Sequence, residues 1–367
     1  MTKIKDLTSF LEKLAPTAYQ ESYDNAGLIV GNPNTLVQGV LLSLDCTEAV
    51  IDEAIAQNCN IVVAHHPIVF KGLKKINGKN YVERTVIKAI KNDIAIYAIH
   101  TNLDHVFGGV NYKIASLLGL DSVRILAPKA NLLSKLTVFV PSTNTQPLLD
   151  ALHKAGAGQI GNYEQCSFVV NGTGTFKGNE DSTPVWGNKL EITKVNEDRI
   201  EVVFPTYLNS KMIVAMKAAH PYEEVAYYLS NLENTNQEVG AGAIGLLTEA
   251  MNNQQFLKHL CQAMNLKVIK HTASIDRPIQ KVAVCGGAGS FLLKDAIAQG
   301  ADVFVTADYK YHEFFDAEGQ IMICDIGHYE SEVCTKEILY DYLSKEFTNF
   351  ATLISQVNTN PVFYYCN

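Results

Sequence analysis

The stretch Cys59-Asn60-Ile61-Val62-Val63-Ala64-His65-His66-Pro67 narrows the possible folds most, because an apolar run stops abruptly at two adjacent imidazoles and a proline. A short β-branched run without polar alternation fits a strand covered on both faces, as in a parallel sheet. Pro67 then ends the pairing. In open α/β sheets ligands bind beyond the carboxyl ends of the strands, which is where His65 and His66 fall. Neighbouring side chains of a strand point to opposite faces, so both histidines serve one site only if the backbone turns here.

The pattern recurs. Val40–Asp45 is a second buried strand ending in an acid, and a helix opened by Thr47-Glu48 carries the chain to the Cys59 strand, which makes a βαβ unit. Ile94–Ile99 ends in His100-Thr101-Asn102-Leu103-Asp104-His105. Much later, Val303–Asp308 and Ile321–Asp325 read as buried strands, the second leading into Ile326-Gly327-His328-Tyr329-Glu330-Ser331-Glu332 and a long helix to about Tyr342. Between the halves, Ser134–Leu232 changes texture. It reads as a strand, a helix (Gln146–Ala155), two or three antiparallel strands and a second helix (Ser210–Ala219). That order predicts a ferredoxin-like α+β insertion over 131–235 inside an α/β domain formed from 1–130 and 236–367, with Glu233–Glu238 as the exit linker.

At 367 residues and 47% apolar, the chain is long enough for two or three domains with substantial cores. A formal net charge of -8 argues against nucleic acid and anionic membranes as general partners. No apolar run approaches the roughly 20 residues that span a bilayer, and no signal-like segment precedes Leu7, so a cytoplasmic protein is expected. Eight scattered cysteines without a C-x-x-C pair read as reduced thiols rather than a disulfide framework.

Of ten histidines, six (65, 66, 100, 105, 312 and 328) lie in four short segments after apolar strands. Any one of them alone reads as a core or capping residue; together they read as a site. Imidazole mixed with carboxylate suits zinc, iron, manganese, cobalt or nickel better than calcium. His328 and Glu332, four apart, share a helix face. Five candidate ligands, His65, His66, Asp104, His328 and Glu332, exceed what one tetrahedral ion needs, whereas two divalent ions bridged by a carboxylate, Asp104 or Glu332, would use them all. His100, Asp308 and His312 then orient ligands or move protons. Such a centre lowers the pKa of bound water to about 7, so hydrolysis is the natural reaction class. The loop Cys285-Gly286-Gly287-Ala288-Gly289-Ser290 reads equally as a phosphate cradle or as packing. Asp24-Asn25 could approach a site but taken alone reads as a turn, and His220-Pro221-Tyr222-Glu223-Glu224 reads as a solvated helix start rather than another metal site.

In the segments Tyr23–Leu28, Ala64–Pro67, His100–Asp104, Thr306–His312 and Gly327–Glu332 the chain resembles the GTP cyclohydrolase 1 type 2 homologue family, also called NIF-three-like. In Gly161–Tyr163, Cys166–Phe168, Gly172–Phe176 and His220–Glu224 it resembles the extra domain of longer bacterial members, which is similar to CutA and PII-like proteins. Two departures are visible: Tyr23 stands where tryptophan is common and Ala307 where glycine is usual. The resemblance implies two divalent metal ions per subunit on His65, His66, Asp104, His328 and Glu332. It also implies a toroidal homohexamer whose inserts cap the openings, and a hydrolase that opens the imidazole ring of GTP or acts on another nucleotide-like small molecule. The alternative is a non-enzymatic metal-handling or regulatory assembly whose insert senses a ligand.

Overall fold

The computed structural model describes residues 1–365, in two compact units: Met1–Ala127 with Val239–Asn367, and Pro128–Glu238. The fold is mixed α/β with three sheets.

The first unit holds two sheets. One runs in the order Gly27–Val30, Ala95–Ala98, Ile61–Ala64, Gly39–Ser43, Ala351–Ile354. Its last four strands are parallel and only the Gly27–Val30 edge is antiparallel. Ile61, Val62, Val63 and Ala64 are all fully buried, as a β-branched run covered on both faces requires. The register sets Ser43 beside Ala64 and Ala64 beside Ala98. Three strands therefore end level, and the residues just past their ends, Asp45, His65-His66 and His100, emerge along one edge.

The second sheet runs Lys270–His271, Met322–Asp325, Val303–Ala307, Ile279–Ala288, Thr235–Met251, Leu120–Ala130. Its Ile279–Ala288, Val303–Ala307 and Met322–Asp325 strands are parallel, with Ala288 beside Ala307 and Thr306 beside Asp325. Their carboxyl ends deliver the glycine loop, Asp308 and His328. Expectation and structure part in several places here. The segment 235–238 is strand rather than linker, opening the seventeen-residue strand Thr235–Met251. The helix expected through Tyr342 is two helices, His328–Glu332 and Thr335–Glu346. The Leu120–Ala130 strand carries exposed Asp121, Ser122 and Arg124 in its first half and so gives no long apolar run to read.

The second unit, taken by itself, is a four-stranded antiparallel sheet in the order Phe168–Lys177, Ile192–Pro205, Leu133–Pro141, Tyr227–Leu232. Helices Thr145–Ala155 and Asn209–Ala219 make the chain order βαββαβ. The two expected strands Leu190–Val195 and Ile200–Phe204 are one, because polar Asn196-Glu197-Asp198-Arg199 pairs without interruption, Glu197–Arg199 lying against Phe139–Pro141 and Asn196 against Thr173. Leu136, Val138, Leu148, Leu152, Ile200, Phe204 and Met212 make this unit's own core. His220 is not at a solvated helix start. It is buried at the end of Asn209–Ala219, with Nε2 donating to the Phe139 carbonyl at 2.8 Å and Nδ1 accepting the Tyr222 amide at 3.1 Å.

Among the described residues seven cysteines are free; Cys366 lies outside them. No helix among those residues is long and apolar enough to cross a membrane. Leu152→Ala, which empties a fully buried position of the second unit, is expected to lower unfolding stability by about 2–5 kcal/mol, read by urea titration.

Candidate metal centre

The level strand ends bring His65, His66, His100, Asp104, His328 and Glu332 together. The backbone bends at His65-His66, just before Pro67, and sets the two rings 5.0 Å apart between centroids, so both imidazoles reach one place. Asp104 is carried back by the short helix Thr101–Asp104 that comes after His100. His328 and Glu332 come from one face of the five-residue helix His328–Glu332, with Nε2 of His328 3.0 Å from Oε2 of Glu332.

Each of the three ligand-candidate histidines is turned by an oxygen on its far nitrogen. His65 donates Nδ1–H to the Ile99 carbonyl at 2.7 Å, His66 to Asp45 Oδ1 at 2.7 Å, and His328 to Asp308 Oδ2 at 2.8 Å. This fixes the tautomer and leaves three Nε2 atoms facing inward, as oxygen partners do for metal-binding imidazoles. Asp45 is itself held by the Thr359 hydroxyl at 2.5 Å. The inward atoms form two groups with one shared member. His65, Asp104 and Glu332 make one; His66, His328 and Glu332 make the other. Glu332 serves them with different oxygens, Oε1 at 3.9 Å from His65 Nε2 and Oε2 at 2.9 Å from His66 Nε2. His100 joins His65 and His66 in a third grouping.

The donors fit a divalent ion. Buried polar atoms are nearly always satisfied, yet Nε2 of His65 and Oδ1 of Asp104 are buried with no hydrogen-bond partner. They stand 3.6 Å apart, too far for a hydrogen bond. Two ligands each about 2.1 Å from one tetrahedral ion would stand roughly 3.4 Å apart.

Electrostatics agree. Burial holds His65 below the usual imidazole value and so neutral. Burial also opposes charge on His66 and His328. Hydrogen bonds donated to Asp45 and Glu332 nevertheless raise His66 to about 10, and those to Glu332 and Asp308 raise His328 to about 9. Glu332 is held well below the carboxylate range, against burial, by hydrogen bonds from His328 and His66. Burial, reinforced by Glu332, pushes Asp104 well above it. Without a cation the cluster thus retains protons in the places a metal would take.

Several contributors carry no strong signal in the sequence. Asp24, read as a turn residue, accepts from His100 Nδ1 at 2.8 Å, from the Thr101 amide at 3.1 Å and from the Thr101 hydroxyl. Against its burial these bonds lower it to about 2. Asn111 ties the site together, donating to the Asp104 carbonyl at 2.8 Å and accepting the Gly286 amide at 2.9 Å. The glycine loop is packing rather than a phosphate cradle. The Gly286 amide is taken by Asn111 and that of Gly287 by Ser331 Oγ at 3.0 Å. Gly287 has φ +61°, and a Cβ there would collide with Glu332 Oε1, so the loop is what lets Glu332 in. His312 is not brought to the cluster: it is exposed on the 3-10 segment Tyr311–Ala317, its ring beside Tyr311 and Phe315.

A family model described as Duf34/NIF3 (NGG1p interacting factor 3) matches residues 2–361. The GTP cyclohydrolase 1 type 2 homolog of Halalkalibacterium halodurans is 40% identical over 356 residues, 95% of each chain. That of Bacillus subtilis is 36% identical over 363 residues, 97% of each chain. The crystal structure of a Bacillus cereus protein related to NIF3 superposes with a TM-score of 0.87 at 39% identity, covering 99% of each chain.

Two measurements test the centre. Asp45→Asn, which loosens the grip on His66, is expected to weaken metal binding about 10–100-fold, and Glu332→Gln to weaken it further still, read by calorimetric titration. Because His66 and His328 are raised to about 10 and about 9, cations must displace their protons. Apparent affinity should rise with pH from 7 and level off above about 10, with proton release visible when buffers of different ionisation enthalpy are compared.

Proposed function

From the premise that the chain belongs to the Duf34/NIF3 family, we propose that it holds two divalent metal ions in each subunit and hydrolyses a nucleotide-like substrate beside them. The observation that carries this reading is Glu332, whose two carboxylate oxygens face different imidazoles, as a bridging ligand's would. His65 and Asp104 would complete one ion's ligands, His66 and His328 the other's. Mixed imidazole and carboxylate donors favour zinc, iron, manganese or a similar ion over calcium. When bound, such ions polarise a carbonyl or phosphoryl oxygen and supply hydroxide at neutral pH.

The chain's own residues do the rest. His100 is fixed by Asp24 on Nδ1 and lies 5.3 and 5.4 Å, between ring centroids, from His65 and His66. Its Nε2 is placed to accept or return a proton at the reacting group. Asp308, exposed and bonded to His328, can pass protons to solvent; His312 takes part only if a further copy of the chain or a movement brings it near. The relatives' printed name points to GTP as substrate, and the corresponding reaction is opening of the imidazole ring with loss of formate.

The βαββαβ order of the second unit supports reading it as a ferredoxin-like, PII/CutA-like insertion. A homohexameric ring in the cytoplasm, capped by these inserts, completes the proposal; its thiols, free among the described residues, suit that compartment.

Metal-loaded protein is expected to release formate from GTP, and His65→Ala to abolish release while leaving the fold intact by circular dichroism. Inertness of the loaded protein toward a broad nucleotide panel would defeat the hydrolase reading. Light scattering should give six times the 40.4 kDa chain mass.

A further inference from the structure

The cavity above the cluster has a volume of about 480 Å³ and an uneven lining. Its floor is His66, Asp104, His328 and Glu332, and its rim carries three aromatic side chains, Tyr23, Phe70 and Phe291. All three are exposed, at 63, 44 and 66%. Tyr23 and Phe70 lie 6.1 Å apart between centroids with planes tilted by 46°, and Phe70 stands edge-on to His100 at 6.2 Å. Aromatic rings left in water at the mouth of a polar pocket present faces on which a flat ring can stack.

Charge on the same lining points away from phosphate. Among the described residues that line the cavity there is no lysine or arginine, whereas Glu21, Asp45, Asp104 and Glu332 all do. Proteins that grip phosphates use arginine forks, lysines or free backbone amides. Two amides of the neighbouring glycine loop, those of Gly286 and Gly287, are already taken by Asn111 and Ser331. Two divalent ions would offset those four carboxylates and leave no surplus positive charge for a polyphosphate. Carboxylates at the wall accept N–H groups well, and heteroaromatic rings present them.

Resting on the metal-centre reading, we propose that this site recognises its substrate by an uncharged planar heteroaromatic ring, held on Tyr23 and Phe70, and that it makes no dedicated contact with a polyphosphate tail. The base or nucleoside is the recognised unit, and the triphosphate of GTP adds nothing to its binding.

The test is calorimetry on full-length, zinc-loaded protein titrated with guanosine, adenine, nicotinamide, GTP and inorganic triphosphate, with metal content measured in every sample. The expected result is binding of at least one of the three uncharged rings, GTP no tighter than guanosine, and no binding of triphosphate. Tyr23→Ala and Phe70→Ala should each weaken ring binding about tenfold at unchanged metal content. GTP binding tenfold or more tighter than guanosine overturns the proposal. So does ring binding indifferent to both substitutions, or failure of all three rings to bind. Protein that takes up no metal is a different failure, since it defeats the metal-centre reading itself.

Discussion

A buried carboxylate facing three imidazoles is the interaction around which the first unit is arranged. Glu332 is 3% exposed, and a charge so placed is costly unless hydrogen bonds and opposite charge answer it. His66 and His328 answer it, His65 faces it from farther off, and each of the three is held in turn by an oxygen on its outer nitrogen. The level ends of parallel strands in the two sheets serve the same need, because they present these groups at matching depth without long loops to order. The glycine loop serves it as well: only a residue without a Cβ leaves room for the carboxylate.

The sequence disclosed the parts of this arrangement that depend on strand ends. Apolar runs stopping at His65-His66, His100 and Asp308 are visible because burial on both faces excludes polar residues until the strand leaves the sheet. The i, i+4 spacing of His328 and Glu332 is equally local. Asp24, Asp45 and Asn111 were less legible for one shared reason. Their roles depend on which distant segment lies opposite, and an aspartate in a turn looks the same whether it caps the turn or orients a histidine 76 residues away. His312 is the reverse case: it has the right residue type and lies just past a strand end, but within the subunit a 3-10 segment leaves it exposed beside Tyr311.

In the second unit the misreadings had a different source. Ile192–Pro205 is interrupted by four polar residues, so periodicity divides it, although its backbone pairing continues throughout. Tyr227–Leu232, largely exposed, offers no apolar stripe at all. Edge and solvent-facing strands are held by their ladders, and composition records ladders poorly.

The contacts around the centre run from Asp24 to Thr359, nearly the full span of the described chain. On the ribosome, His65, His66 and Asp104 appear long before Glu332, with the whole second unit made in between. A cation met early would find His65, His66, His100 and Asp104 but not the glutamate that two groups share. A centre built on Glu332 is complete only once synthesis has passed the helix that carries it, so any choice among cations would fall to the folded protein rather than to the emerging chain.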